Sequence, residues 1–154
     1  SIEIDAGTHS RYACSADFDG DGHVDLAATF KAHENVSLAG RVVWYKSPDF
    51  TTSRTLAVLL GRACFGLACV DFDRDGDVDI FFTHDRGENG GVSYFENTEH
   101  GVFKKEREIT SKYGGTNGIV FSDVDEDGLP DPVFFDRRTE LMYVSSNDII
   151  LLQT

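Results

Sequence analysis

The sequence contains few basic residues and no long apolar run. Among its 154 residues, 14 are Lys or Arg and 27 are Asp or Glu, which gives a formal net charge of −13. Nucleic acids and anionic membranes bind basic surfaces, and this composition does not supply one. No apolar stretch approaches the ~20 residues that a membrane-spanning helix needs. The sequence therefore predicts neither nucleic-acid binding nor membrane insertion.

Cysteines are also few, and their number is odd. The chain has 3 of them, Cys14, Cys64 and Cys69. An odd number does not form a complete disulfide framework, so we interpret the three as small buried residues. Two bridges remain as alternatives: a local one between Cys64 and Cys69, and a longer one between Cys14 and Cys69.

Sequence motifs of the common catalytic sites are missing as well. There is no nucleophile motif, no glycine-rich phosphate loop and no zinc-ligand spacing. The histidines are scattered along the chain, at His9, His23, His33, His84 and His100. A catalytic pair assembled from distant segments would not be visible in sequence order. From the residues that are visible, we expect a protein without catalytic activity.

Three short acidic segments stand out against this background. Residues 71–79 read Asp-Phe-Asp-Arg-Asp-Gly-Asp-Val-Asp, and the pattern Asp-x-Asp-x-Asp-Gly-x-x-Asp recurs at 17–25 and 123–131. We call these the first (17–25), second (71–79) and third (123–131) loops. They contain 13 aspartates, which equals the net negative charge of the chain. Gly76 at position six permits a sharp turn, because glycine tolerates positive φ.

Carboxylates at this density repel one another unless a cation lies among them. Ca²⁺ takes 6–8 oxygen ligands at ~2.3–2.6 Å, which alternate side chains of a tight loop can supply. We predict about three Ca²⁺ ions with a structural role, one in each loop. Mg²⁺ and metal-free solvated turns are the alternatives. An EF-hand is excluded because its acidic residue at position twelve is replaced by Ala28, Phe82 and Phe134.

The predicted ligands are the side chains at positions one, three, five and nine and the backbone carbonyl at position seven. They are Asp17, Asp19, Asp21, Asp25 and the carbonyl of His23 in the first loop; Asp71, Asp73, Asp75, Asp79 and the carbonyl of Asp77 in the second; and Asp123, Asp125, Asp127, Asp131 and the carbonyl of Leu129 in the third. Phe18, Phe72 and Val124 alternate with these ligands, and we expect them to point into the core.

The segments around the loops repeat too, since the loops begin 54 and 52 residues apart. Each loop joins two runs of strand length, and two more runs follow in each unit. The predicted strands are 11–16, 24–30, 41–46 and 54–59; then 65–70, 78–83, 92–96 and 104–110; then 118–122, 132–135, 140–144 and 149–154. Trp44, Tyr94 and Tyr143 take corresponding places in the third strands, where we expect them to pack in the core.

Four antiparallel strands in units of roughly 50 residues indicate an all-β protein made of β-propeller blades. The predicted division is 11–60, 61–112 and 113–154, with residues 1–10 holding an outer strand (1–5) and a connector from a preceding blade. Propellers close with about 4–8 blades. We therefore expect these three to be part of a larger or oligomeric propeller, completed by self-association or by other subunits.

The segment from Val70 to Lys105 resembles the FG-GAP/VCBS-type repeat of integrin α-subunit-like β-propellers. The acidic loop, the apolar strand after it, the Gly-Gly-Val-x-x-Phe-x-Asn stretch and the later Gly-x-Phe all match. The unit from Asp17 matches as well, and the unit from Gly118 matches at its loop but is shorter after it. Although Phe65-Gly66 is present, nothing like Gly-Ala-Pro follows any loop. The chain is thus closer to the broad secreted branch than to integrins, and integrin-style partner binding does not carry over.

This resemblance implies a calcium-stabilised extracellular module that binds glycans or proteins, in a lectin-like way, or builds an assembly. The alternative is a propeller-type carbohydrate-active enzyme similar to a polysaccharide lyase, or a fragment of one. The chain opens on Ser1 without a signal sequence, so we expect a mature form or part of a longer secreted or cell-surface protein. Asn35 lies in an Asn-Val-Ser triplet and is a candidate for glycosylation, although such triplets often occur by chance.

Overall fold

The computed structural model describes residues 10–30, 40–59, 63–85, 90–110, 116–136 and 138–145. The outer strand predicted at 1–5, the candidate glycosylation site Asn35 and the strand predicted at 149–154 lie outside these residues. Eleven strands and no helix are present in the described part. Accordingly, no helix there is long and apolar enough to cross a membrane.

The strands form three antiparallel sheets, which confirms the all-β, blade-like fold. Two sheets have four strands and the third has three within the described residues, each in the order of the chain. The first sheet contains β1 (Ser10–Ala16), β2 (Asp25–Phe30), β3 (Gly40–Lys46) and β4 (Thr52–Leu59); the second contains β5 (Ala63–Val70), β6 (Asp79–Asp85), β7 (Gly91–Phe95) and β8 (Arg107–Thr110); the third contains β9 (Thr116–Ser122), β10 (Asp131–Asp136) and β11 (Leu141–Val144).

Each acidic loop is the turn between the first and second strands of its sheet. The strands beside it are rich in β-branched and aromatic residues, which favour a pleated, half-buried surface. Their pairing fixes the ends of every loop, because Ala16 lies opposite Asp25, Val70 opposite Asp79, and Ser122 opposite Asp131. The repeat therefore places all three loops at the same point of their sheets.

The third strand of the last sheet differs by one residue from the predicted alignment. Trp44 pairs with Ala27, and Tyr94 pairs with Phe81. In the third sheet the equivalent pair is Val133 with Val144, and Tyr143 lies opposite Phe134 instead. The prediction that Tyr143 corresponds to Trp44 and Tyr94 is therefore wrong. The shorter connection before β11 moves its register, and a shift of one residue exchanges the two faces of a strand.

The core consists of apolar layers between successive sheets. Phe18, Ile80 and Phe82 belong to the layer between the first and second sheets. Phe81 and Ile119 belong to the layer between the second and third. A further buried cluster lies on the side of the first sheet that faces away from the second. It contains Ala28, Phe30, Val43 and Tyr45.

The residue at position two of a loop takes part in these layers only where a following sheet covers it. Phe18 is fully buried and Phe72 is 2% exposed, as predicted. Val124 is 50% exposed, so the prediction that it points into the core is wrong. The first two residues have a neighbouring sheet to pack against, and the described residues contain none beyond the third sheet.

Glycine permits the closest approach between two first strands. A Cβ atom on Gly66 of β5 would lie 2.8 Å from the Cα atom of Gly118 of β9. No real Cβ contact is that short, so a side chain at Gly66 would push the two strands apart. Gly66 and Gly118 occupy equivalent positions of successive repeats, and together they let the second and third sheets pack backbone against backbone.

Two of the three cysteines form a disulfide bond between blades. Cys14 of β1 and Cys69 of β5 are bonded, with their Cα atoms 5.8 Å apart. The interpretation of all three cysteines as small buried residues is therefore wrong for this pair, and the longer of the two alternative bridges is confirmed. The interpretation is right for Cys64, which is fully buried. Cys14 and Cys69 meet because both face the layer between the first and second sheets, and the sequence alone does not decide between this bridge and the local one.

Candidate metal centres

Carboxylate oxygens converge in each of the three loops. In every loop, three aspartates offer oxygen atoms that all lie within 4.8 Å of one another. The sets are Asp17, Asp19 and Asp25; Asp71, Asp73 and Asp75; and Asp123, Asp125 and Asp127. Asp21, Asp79 and Asp131 were predicted as ligands but lie outside these sets. Each loop thus forms a compact group of oxygens of the kind that a hard cation binds.

Backbone N–H groups of each loop donate hydrogen bonds to carboxylates of the same loop. The N–H of the position-six glycine donates to Oδ2 of the position-one aspartate, at 2.7 Å from Gly22, 3.2 Å from Gly76 and 3.0 Å from Gly128. All three glycines have positive φ, as the pattern predicts. Position four is also left-handed in every loop, and there Arg74 and Glu126 adopt φ of 61° and 62°. That second turn was not predicted.

The position-nine aspartates anchor the loops to their sheets. Asp79 is 1% exposed, and its carboxylate accepts hydrogen bonds from the N–H groups of Phe72 at 3.2 Å and Asn97 at 2.9 Å. Asp131 likewise accepts the N–H of Val124 at 3.0 Å. These carboxylates fix the geometry of the loop, so their first role is structural.

The carboxylate of Asp25 holds the first loop against β3. Its two oxygens accept hydrogen bonds from the indole N–H of Trp44 at 3.0 Å and from the backbone N–H of Ser47 at 2.7 Å. The side chain of Trp44 thus ties the loop to the third strand, in addition to packing against Phe18 with ring centroids 6.2 Å apart.

Burial and like charge disfavour ionised carboxylates in the second loop. Burial raises the pKa of Asp79 from its ordinary value of 3.8 to about 7, although the N–H groups of Asn97 and Phe72 lower it; the carboxylates of Asp73 and Asp75 raise it further. Burial also raises the pKa of Asp73. A bound dication would reverse this effect, because an opposite charge favours the ionised form.

Two carboxylate oxygens have the arrangement that a metal ligand needs. Oδ1 of Asp19 and Oδ1 of Asp71 are buried and have no hydrogen-bond partner in the described part of the chain. A buried, unsatisfied carboxylate oxygen is costly, and a cation within the loop would satisfy it. Asp19 and Asp71 stand at ligand positions three and one, so the residues present fit a Ca²⁺ ion.

The segment from Asn97 to Gly101 in the second repeat contacts both the first and the second loop. The side chain of Asn97, fully buried, donates to the backbone carbonyl of Phe18 at 2.9 Å and accepts the N–H of Gly101 at 2.9 Å. The backbone N–H of the same residue donates to Asp79 of the second loop. A Cβ on Gly101 would lie 3.2 Å from Cβ of Asp19. Asn97 therefore contacts both loops at once.

Three further polar residues beside the loops were not predicted as parts of the site. Nζ of Lys46 contacts Asp19 and Asp21 in the first loop. Nδ1 of His100 lies 2.9 Å from Oδ1 of Asp77 in the second loop. For Asn97, a signal existed, because it ends the Gly-Gly-Val-x-x-Phe-x-Asn stretch. Lys46 and His100 belong to no repeated pattern, and only the fold brings them to the loops.

The second sheet also contains a buried histidine beside a serine. Nε2 of His84 lies 3.0 Å from Oγ of Ser93 and 3.8 Å from Oε1 of Glu108. In a catalytic Ser-His-acid arrangement, the acid holds the other ring nitrogen. Here both partners face the same nitrogen, and Ser93 is fully buried. The pair has the geometry of a structural contact inside the blade.

Comparison with protein families gives two overlapping matches. A family model described as an FG-GAP-like repeat matches residues 17–82 and again residues 71–134. Both matches begin at an acidic loop and extend through the loop that follows. A search of curated proteins found no significant match.

Proposed function

The chain belongs to the family of FG-GAP-like repeat proteins, and on this basis we propose that it is a calcium-stabilised extracellular module for binding and assembly. The observation that carries the proposal is the repetition of one acidic site in three sheets, with converging carboxylates in every loop. A protein that needs rigid blades gains from a cation at each turn, because the cation links the ends of two strands through their carboxylates.

Calcium is the cation that the loops fit best. They offer only oxygen ligands, and Ca²⁺ accepts the irregular geometry of a flexible loop more readily than Mg²⁺ does. Titration calorimetry should show about three Ca²⁺ ions per chain. Asp73→Asn should remove one site, whereas Asp49→Asn, outside the loops, should leave all of them. Unchanged heats with Asp73→Asn would contradict the assignment of the second loop.

An extracellular location agrees with two features of the chain. The disulfide between Cys14 and Cys69 is of a kind that persists in oxidising compartments and is rare in the cytosol. Free Ca²⁺ outside the cell is high enough to fill sites of modest affinity. The same location agrees with the secreted branch of the family that the sequence resembles.

We further propose that the module binds a glycan or a protein surface without turning it over. The buried contact between His84 and Ser93 supports this, because a substrate could not reach the hydroxyl of Ser93. Glycan arrays probed in Ca²⁺ and in EGTA should show calcium-dependent retention of intact saccharides. Shortening of a polysaccharide by the pure protein, abolished by one His or Tyr substitution, would support the lyase-like alternative instead.

The outer face of the third sheet is the surface that we propose for assembly. Val120, Met142 and Val144 on this face are 62%, 72% and 54% exposed. Val120 and Met142, together with Val133 and Phe135, line an open cavity of about 260 Å³. Contiguous apolar surface of this kind marks an interaction site.

Equivalent faces in the rest of the chain are covered by a following sheet. Phe81 and Tyr94 take the places of Val133 and Val144 in the second sheet, and there they are buried against the third sheet. The opposite end of the array, the outward side of the first sheet, is also buried. Among the described residues, the third sheet therefore has the one apolar face that a second copy of the chain could match, and we propose a two-fold dimer through this sheet.

Light scattering in Ca²⁺ at micromolar concentration tests this assembly. We expect twice the chain mass of 17.0 kDa. Met142→Glu should give a monomer, because it places a charge in the apolar contact. The control Val58→Glu changes a valine that is 57% exposed on β4, and it should remain a dimer. A stable monomer of the unaltered chain would show that the proposed dimer does not form.

A further inference from the structure

The ammonium group of Lys46 lies on the carboxylates of the first loop. Its Nζ atom bonds Oδ2 of Asp19 and lies 3.0 Å from Oδ2 of Asp21. These aspartates stand at positions three and five, which are predicted ligand positions. The side chain of Asp19 is only 13% exposed. The side chain of Lys46 is 39% exposed, so water and salt screen the pair only in part.

The second loop has an acid in the place of this lysine. Lys46 and Glu96 each follow by two residues the equivalent positions Trp44 and Tyr94. The negative charge of Glu96 acts on Asp73 in the second loop. The same position of the repeat therefore places a cation on the carboxylates of the first loop and an anion near those of the second.

The residues on the loops themselves increase this difference. Position seven is His23 in the first loop and Asp77 in the second, so the loops contain four and five aspartates. Lys104 and Arg107 contact the carboxylate of Glu96. At the second loop, the cations thus offset the charge of Glu96, which is not a predicted ligand. At the first loop, Lys46 lies directly on two predicted metal ligands.

A dication and an ammonium group cannot share one pair of carboxylates without strong repulsion, because like charges a few ångströms apart disfavour each other. We propose that Lys46 is an internal counter-ion of the first loop that competes with Ca²⁺, so that the second loop fills before the first. This inference rests on the calcium binding proposed above. When the first loop binds Ca²⁺, the ammonium group of Lys46 leaves Asp19 and Asp21 and turns to solvent.

Substitution of Lys46 tests the competition. Lys46→Met keeps the length of the side chain and removes its charge, and Lys46→Gln removes the charge but keeps a polar donor. In Ca²⁺ titration calorimetry, both variants should raise the affinity of one site, the first loop, by about tenfold or more, since one opposing charge is gone. The thermal midpoint in EGTA should fall in both, because the first loop has lost its counter-ion. Lys105→Met removes the same charge from an exposed position and should change neither quantity.

A second substitution assigns the effect to the first loop. In an Asp17→Asn background, where the first loop lacks one of its three converging carboxylates, Lys46→Met should no longer change the affinity of the remaining sites. Unchanged or weaker affinity in Lys46→Met and Lys46→Gln would overturn the inference, and weaker affinity would mean that Lys46 orients Asp19 for the metal. If the unaltered chain binds no Ca²⁺ at all, the proposed function itself fails, which is a different result.

Discussion

At the residue scale, the fold depends on a few buried polar side chains between the blades. Asn97 is the clearest example. Its side-chain amide donates to the carbonyl of Phe18 in the first blade and accepts from the N–H of Gly101 in its own blade. A buried amide can join two sheets only if every group that it contacts is satisfied. The position therefore requires an amide side chain, and an apolar residue of the same size would leave both partners unsatisfied.

We expect Asn97→Ala to lower the free energy of unfolding by about 2–4 kcal/mol, because each buried group left without a partner costs about 1–3 kcal/mol. Urea denaturation in saturating Ca²⁺ measures this loss. The control is Thr98→Ala, which removes an exposed hydrogen bond to the carbonyl of Val102 and should cost less than about 1 kcal/mol. Equal losses in the two variants would show that Asn97 does not join the blades.

The raised pKa of Asp79 predicts a pH dependence for the calcium-free protein. Native Asp79 keeps its proton up to about pH 7, whereas the unfolded chain releases it near 3.8. Between these values the native state binds more protons, so stability falls as pH rises, by at most roughly 4 kcal/mol. Chemical denaturation in EGTA across this range measures the fall.

Ca²⁺ and Asp79→Asn are the controls for this dependence. Saturating Ca²⁺ should flatten the curve, because the ion supplies the positive charge that favours ionised carboxylates. Asp79→Asn should flatten it without the ion, since the amide does not titrate. Stability that rises with pH over the same range in EGTA would contradict the assignment to Asp79.

At the scale of strands and sheets, the disulfide is the covalent link between two blades. Cys14 and Cys69 are 55 residues apart in sequence, so the bond closes a long loop of the unfolded chain. The chain-entropy model gives about 4 kcal/mol for a loop of this length. We expect the double variant Cys14→Ala/Cys69→Ala to lose stability of that order in denaturant titrations.

Reduction provides the matched experiment for the disulfide. Dithiothreitol should lower the midpoint of the unaltered chain and leave that of Cys14→Ala/Cys69→Ala unchanged. Cys64→Ala should remain sensitive to the reductant, because Cys64 lies outside the bridge. An unaltered chain whose midpoint ignores the reductant would show that the bridge contributes nothing to stability.

Within the described residues, the strands and loops were predictable because their signals are local. The pattern from Asp71 to Asp79 specifies a turn, and the β-branched runs beside it specify strands. The faces of those strands were harder to predict. Tyr143 was assigned to the wrong register because β11 follows a shortened connection, and the bridge between Cys14 and Cys69 depends on how two sheets pack. Contacts between blades arise from the whole fold, so sequence spacing alone does not reveal them.

At the scale of the whole molecule, three sheets bury two apolar layers between them. Each loop is the turn between the first and second strands of its sheet. Removal of the proposed cations should therefore weaken every sheet at the same kind of position. A ligand that binds only the native state stabilises it by about 4 kcal/mol per site when it is 1,000-fold above its Kd. Calcium should accordingly raise the free energy of unfolding by a large amount, and the effect should extend over all three sheets.

Thermal unfolding in millimolar Ca²⁺ and in EGTA, with elemental analysis of the purified protein, tests the central claim most directly. We predict about three Ca²⁺ ions per chain and a thermal midpoint that is higher in Ca²⁺ by ten degrees or more, a rough figure from the expected stabilisation. Mg²⁺ at the same concentration should give a smaller increase. Equal midpoints in Ca²⁺ and EGTA, together with no bound metal, would contradict the account.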